Sequence, residues 1–248
     1  MLIQPTLDKL KALRLGALAQ AWQEQQKVPD FHALAFDERL GLLVDAECLY
    51  RENKRMDYLL KEAKLKISSA SVEGIDFSPV REIDRAVIRQ LASCRFITEH
   101  QNVTITGMTG TGKTFIACAL AHMACRKGFK TLYRRATRLQ DELVMAKADG
   151  TYHKALARLA KLDLLLIDDW GHAPLKDHER RDFVEIFDDR CGQSATIITS
   201  QVPTDNWHDY IADPTAADAL CERMLHNAHR LVLKGPSKRK EAAATEQT

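Results

Sequence analysis

The sequence predicts an α/β fold, a parallel sheet covered by helices on both faces and preceded by a small all-helical module, on three observations. Residues 107–114 read Gly-Met-Thr-Gly-Thr-Gly-Lys-Thr, that is Gly, four residues, then Gly-Lys-Thr, set between a short apolar strand pattern and a helical one. Between residues 100 and 200, apolar runs of strand character alternate with stretches of helical periodicity. Before residue 70 no strand pattern occurs.

The bulk properties bound the class. A chain of 248 residues suits one large domain, or one domain with an appendage. A 45% hydrophobic and 28% charged composition is that of a globular protein rather than a fibrous or disordered one. There is no apolar run of about eighteen residues, as a membrane span needs. Residues 1–18 are amphipathic, with Lys9, Lys11 and Arg14 interspersed, unlike a signal peptide. The expectation is a cytoplasmic protein with no membrane partner. Six cysteines without a C-x-x-C pair suit reduced, packed thiols. His226 and His229, with no Cys or carboxylate beside them, do not make a zinc site. A net charge of +2 is too small to announce a nucleic-acid partner, so the local distribution of charge matters more.

In chain order, Thr6 as N-cap with Asp8 in the first turn and the spacing of Leu7, Leu10, Arg14, Ala17, Leu18 and Ala21 predict a helix ending near residue 26, ahead of Pro29. A second helix is predicted over residues 37–67. Its charged face mixes Arg39, Arg51, Lys54, Arg55, Lys61, Lys64 and Lys66 with six acidic residues, and both phosphate-backbone contact and an ordinary solvated face fit that mixture. Residues 1–70 are thus read as a helical domain that contacts DNA or a partner, because so small a module buries little core alone. A small, polar run before Pro79 marks a linker over residues 71–78. The nucleotide domain is expected over residues 79–240 and a disordered tail over 241–248. It opens with a helix carrying Ile83, Val87, Ile88, Leu91 and Ala92. Strands at 103–106, 131–133, 164–167 and 196–199 then alternate with helices at 115–126, 136–147 and 179–191.

The loop has a specific chemistry. Backbone N–H groups of Gly107, Met108, Thr109, Gly110, Thr111 and Gly112 can close on a triphosphate, and the following helix presents its positive end. Lys113 reaches the β and γ phosphates as a point charge, and the Thr114 hydroxyl ligates the accompanying magnesium, so ATP and Mg2+ are the expected cofactors. Residues 164–169 form an apolar strand ending in two carboxylates. Asp168 would hold the magnesium, through water or the Thr114 hydroxyl, and Asp169 would orient or deprotonate the attacking water. The strand at 196–199 runs into Ser200 and Gln201; at the carboxyl end of a parallel strand Gln201 would face the γ phosphate or the water, unless it is plain turn before Pro203.

The combination G-M-T-G-T-G-K-T, L-L-I-D-D-W-G, I-I-T-S-Q and A-D-A-L-C-E-R-M-L-H-N-A-H-R-L-V-L-K-G resembles the IstB family of AAA+ ATPases, helper proteins of bacterial insertion sequences. More distantly it resembles the DnaC helicase loader and the initiator DnaA. The resemblance implies a P-loop AAA+ domain whose nucleotide lies between subunits, completed by a neighbour's arginine. Arg223 matches that position, with Arg230 the second candidate, and Arg239 is the nearest match to the family's sensor arginine. Asp169 stands where most AAA+ proteins have Glu, one methylene longer. In a ring or spiral of such subunits, Arg134, Arg135 and Arg138, beside Tyr133, would line the channel and contact duplex DNA. The function implied is ATP-dependent assembly of a homo-oligomer on duplex DNA, which presents that DNA to the cognate transposase. A DnaC-like helicase loader is the alternative. A small-molecule P-loop kinase and an ATP-gated scaffold that never hydrolyses also fit the loop.

Overall fold

The computed structural model describes residues 3–237, and the expectations for Arg239 and for the tail at 241–248 lie outside them. The chain forms two compact units, Met1–Tyr58 and Leu59–Thr248. No described helix is long and apolar enough to cross a membrane.

The smaller unit is helical. Its helices are α1 (Ile3–Ala12), α2 (Gly16–Lys27) and the first part of α3 (Phe36–Ala63). The single helix expected to residue 26 is two, because Arg14 takes a left-handed φ of 60° and breaks the hydrogen-bond ladder. The new helix start is capped from a distance. The buried Glu47 carboxylate of α3 accepts from the Leu18 N–H at 3.1 Å and from Arg51 Nε at 2.8 Å. Arg51, helped by that N–H, holds the Glu47 carboxyl below its usual range. The far end of α3 falls at Ala63 rather than 67, followed by Lys64 at φ 51°.

The larger unit is built on α4 (Arg85–Ala92), α5 (Arg95–Thr98), β1 (Asn102–Gly107), α6 (Lys113–Arg126), β2 (Thr131–Arg135), α7 (Ala136–Ala148), α8 (Tyr152–Ala160), β3 (Leu164–Trp170), α9 (Asp177–Arg190), β4 (Ala195–Ser200), α10 (Trp207–Ile211), α11 (Pro214–Leu225) and β5 (Ala228–Leu233). The sheet runs β2-β3-β4-β1-β5, with every pairing parallel. Its loops therefore leave from the carboxyl ends of β1, β3 and β4 side by side. Helices α8, α10 and α11 and strand β5 go beyond the sequence reading. As an edge strand, β5 buries only Leu231 and Leu233, too weak an apolar pattern to stand out. For α11 a signal was present: Asp213 caps the Ala216 N–H at 2.7 Å ahead of Pro214.

Strand β3 shows why its sequence is uniformly apolar. Leu164 and Leu166 pack into one core with Val103, Ile105 and α6, whereas Leu165 and Ile167 pack into a second with α7, α9 and α11. All four are fully buried, since both faces of the sheet are covered. The segment expected as a linker also belongs to the first core. Ala70 and Ile75 are buried there, and Val72 and Phe77 pack against it, apolar contributions too widely spaced among serines to read as an element.

Arg190, at the end of α9, is 1% exposed and serves as a clamp. Its guanidinium donates to the carbonyls of Leu159 at 2.6 Å, Leu162 at 3.0 Å and Ala195 at 2.5 Å, tying the end of α8 to the start of β4. Burial pushes its pKa down to about 10, which leaves it charged at neutral pH. Arg190→Met keeps the volume but strands these carbonyls, so stability should fall by about 3 kcal/mol. By calorimetry that is a melting temperature lowered by roughly 6–12 °C, and an unchanged melt would show the clamp to be dispensable.

Candidate functional site

The glycine-rich loop leaves β1 at Gly107, whose φ of 146° is open only to glycine and whose missing Cβ would meet the Leu233 carbonyl of β5. A Cβ at Gly110 would likewise meet the Ser237 side chain. Lys113 is 7% exposed and donates to the carbonyls of Gly107 at 2.7 Å and Met108 at 2.8 Å. The Thr111 hydroxyl closes the loop on Met108 O at 2.8 Å. Thr109 Oγ1 donates to Gln201 Oε1 at 2.7 Å, so Gln201 stands at the loop rather than in a detached turn.

The two carboxylates are positioned by parity and by a bulge. Alternation along β3 sends Leu164, Leu166 and Asp168 to the face covered by α6, whose second residue is Thr114. In the register with β4, Ile167 pairs Ile198 and Trp170 pairs Ser200, so Asp168 and Asp169 together oppose Thr199. This is a two-against-one β-bulge, with Asp169 in the left-handed region at φ 60°. Thr199 serves both bulge residues: its hydroxyl donates to Asp168 Oδ1 at 2.5 Å and accepts the Asp169 N–H at 3.2 Å. The bulge also reverses the alternation beyond it. Trp170 therefore enters the opposite core, with its ring 4.7 Å from Phe183 and 6.0 Å from Trp207.

Asp168 is fully buried. Besides Thr199 it accepts from Thr114 Oγ1 at 2.8 Å and from Tyr133 OH at 2.7 Å, and Lys66 Nζ lies 3.4 Å away. Burial alone raises its pKa, but the Thr199, Tyr133 and Thr114 hydroxyls and the Lys66 charge outweigh that and hold it below the ordinary carboxylate range. Tyr133, read from sequence as part of a DNA-facing patch, is instead buried beneath this carboxylate, and its phenol is pushed up by burial and by Asp168. Period-two parity in β2, where Tyr133 pairs Leu166, is the signal that could have placed it. Lys66, 47 residues upstream of Lys113, carries no local signal of its position.

The three arginines after Tyr133 divide. Arg134 is buried and donates to Glu142 at 2.9 Å and to the Tyr133 carbonyl at 2.8 Å, so its charge is committed within the domain. Arg135 turns to Asp169, Nε to Oδ2 3.6 Å. Arg138 is exposed, 3.7 Å from Glu142. Arg223 ion-pairs with Asp188, and its carbonyl accepts from Asn102 at the start of β1. The length of β1, roughly 16 Å at about 3.3 Å per residue, separates that end from the loop. Arg223 thus stands away from the loop of its own chain. Arg230 is exposed on β5.

A cavity of 480 Å³ joins these parts. Its lining is divided between apolar side chains, among them Ile67, Ile75, Ile83 and Phe115, and polar ones, among them Lys113, Thr114, Asp169, Arg135 and Gln201. Such a division suits a ligand with a flat apolar moiety and a polyanionic tail. Thr199→Val should remove the shared hydroxyl and cost about 2 kcal/mol, the value of a hydrogen bond to a buried charge. The Asp168 folded-state pKa is depressed, so its stabilisation is present above the unfolded-chain pKa and is lost as pH falls through the folded value. Weakening the donors raises that folded value, and acid unfolding followed by circular dichroism should move to higher pH.

The comparisons with known proteins agree with this architecture. The chain is 48% identical over 204 residues, 82% of its length and 88% of the relative's, to a protein named for ATP binding in insertion sequence IS1162 of Pseudomonas fluorescens. It is 41% identical over 240 residues, 97% of its length and 98% of the relative's, to one named likewise in Sinorhizobium fredii. Among solved structures, the DnaC helicase loader superposes with a TM-score of 0.58 at 22% identity, covering 66% of this chain and 97% of that one, which marks a shared fold. Residues 8–245 match the family described as IstB-like ATP binding protein, and the chain belongs to that family.

Proposed function

We propose that the protein is a magnesium-dependent ATPase of an insertion sequence, which assembles with copies of itself on duplex DNA in the cytoplasm and delivers that DNA to its transposase. The observation that carries the reading is the Thr114 hydroxyl on Asp168 at 2.8 Å, beside Asp169, at the mouth of a glycine-rich loop. The insertion-sequence role is supported by the names of the relatives. The same names favour transposition over a DnaC-like helicase loader.

The residues divide the chemistry. Lys113, donating to loop carbonyls at 2.7 and 2.8 Å, would exchange them for β and γ phosphate oxygens. Thr114 and Asp168 offer hard oxygen donors and fit Mg2+. When bound, the metal supplies countercharge to the β and γ phosphates. Asp169 would orient the attacking water and take its proton; the side chain is one methylene shorter than glutamate, so slow basal turnover is expected. Gln201, held by Thr109, would help position that water. Arg223 would act on a neighbour's nucleotide, a reading supported by its place near the start of β1, with Arg230 the second candidate for that role. For Arg239 the support is that Ser237, two residues earlier, lies against Gly110. DNA contact would rest on Arg138 and Arg135, with Arg134 supporting Arg138 through the shared Glu142. ATP then acts as a ligand that favours the assembled state, and hydrolysis releases it.

Electron microscopy of the protein with duplex DNA and a non-hydrolysable ATP analogue tests the assembly. Lys113→Ala should weaken nucleotide binding by about a hundredfold, as the loss of charge-assisted contacts predicts, and abolish assembly. Retained assembly would reject the ATP-dependent clamp. Arg223→Ala should bind nucleotide yet fail to hydrolyse it, and mixing it with Lys113→Ala should restore part of the activity. A mixture as inactive as its components would argue for a site complete within one chain.

A further inference from the structure

Lys66 is a second lysine at the cavity that Lys113 lines, supplied from outside the glycine-rich loop. It lines the same cavity as Lys113 and Thr114, with its side chain 26% exposed. Its Nζ lies 3.4 Å from Asp168 Oδ2 and 4.0 Å from Asp169 Oδ2, so one ammonium bridges both carboxylates. The oxygens of Asp168 are unequally used. Oδ1 accepts the Thr114 and Thr199 hydroxyls, whereas Oδ2 accepts the Tyr133 phenol and faces Lys66. Hydroxyls donate hydrogen bonds but do not neutralise a carboxylate, and a fully buried carboxylate needs a countercharge.

We infer that Lys66 is a built-in counter-cation that holds the Asp168–Asp169 pair before metal and nucleotide enter, and that a divalent cation must displace it. The inference rests on the reading of Asp168 as a metal ligand. Two cations converging on one carboxylate within about 4 Å repel strongly in a partly buried site, so ammonium and metal exclude one another there. Lys66 is thus a positioning residue: it keeps the carboxylates paired and sets the Mg2+ concentration at which nucleotide binding becomes metal-assisted.

The test is a Mg2+ titration of the full chain with a fluorescent ATP analogue, reading the midpoint of metal-assisted binding rather than turnover. Lys66→Met removes the charge and keeps the stem, and its midpoint should fall about tenfold. The metal-free, nucleotide-free variant should also melt lower than the parent and recover when Mg2+ and nucleotide are added. Lys66→Arg restores the charge and should return the midpoint to the parent value, which also covers a poorly folding Met variant. A midpoint unchanged or raised in Lys66→Met, or lowered equally in Lys66→Arg, would overturn the inference. A midpoint that moves in Asp168→Asn but not in Lys66→Met would overturn it while leaving the metal reading intact. Nucleotide binding indifferent to Mg2+ in the parent protein would overturn both.

Discussion

The constraint on which the larger unit depends is the burial of one charged carboxylate, Asp168, near the carboxyl end of the inner strand β3. A buried charge is costly unless it is paired and fully hydrogen-bonded. The fold meets that demand from four separate places: the start of α6 through Thr114, β2 through Tyr133, β4 through Thr199, and the segment after α3 through Lys66. Each of these must arrive in register for the charge to be tolerated. The site and the sheet order are therefore one problem, since only a sheet with β3 between β2 and β4 brings those donors together.

The bulge opposite Thr199 reconciles two incompatible demands on β3. Strict alternation would aim Trp170 at the face that Asp168 occupies, where α6 begins. One extra residue, Asp169, lifts out of the ladder and returns Trp170 to the aromatic core around Phe183, Phe187, Trp207 and Tyr210. The displaced Asp169 is left at the cavity, near Arg135 and Lys66. A packing solution and a chemical one share a single backbone irregularity. Lys66, Arg81, Lys113 and Arg135 line the cavity with Asp76 and Asp169, so its lining carries a surplus of positive charge suited to a polyphosphate.

Much of this was legible in the sequence where the signal is local. The loop at 107–114, the apolar strand ending in Asp168 and Asp169, and the alternation of strands and helices each depend on residues close in the chain, with propensities and periods that tertiary contacts reinforce. The readings that changed depend on remote partners. The division of the first helix at Arg14 is stabilised by Glu47, 29 residues beyond Leu18. The serine-rich stretch before Pro79 belongs to a core because Ala70 and Ile75 find a covered face there. Arg134 and Tyr133, adjacent to Arg135, look alike as surface cations and an aromatic until strand parity turns the tyrosine under Asp168 and Glu142 takes the arginine.

By itself the sequence determined that a triphosphate loop lies between a strand and a helix, that two carboxylates follow on a buried strand, and that helices cover both faces of the sheet. Those follow from side-chain chemistry and from periods of 2 and 3.6 residues, which are properties of a short segment. Only the tertiary structure decided which oxygen of Asp168 meets which donor, that Asp169 leaves the ladder, that Arg223 stands at the far end of β1 from the loop, and that Lys66 reaches both carboxylates. These are relations between segments tens of residues apart. Their physical cause is the mutual satisfaction of buried charge, which no single segment encodes.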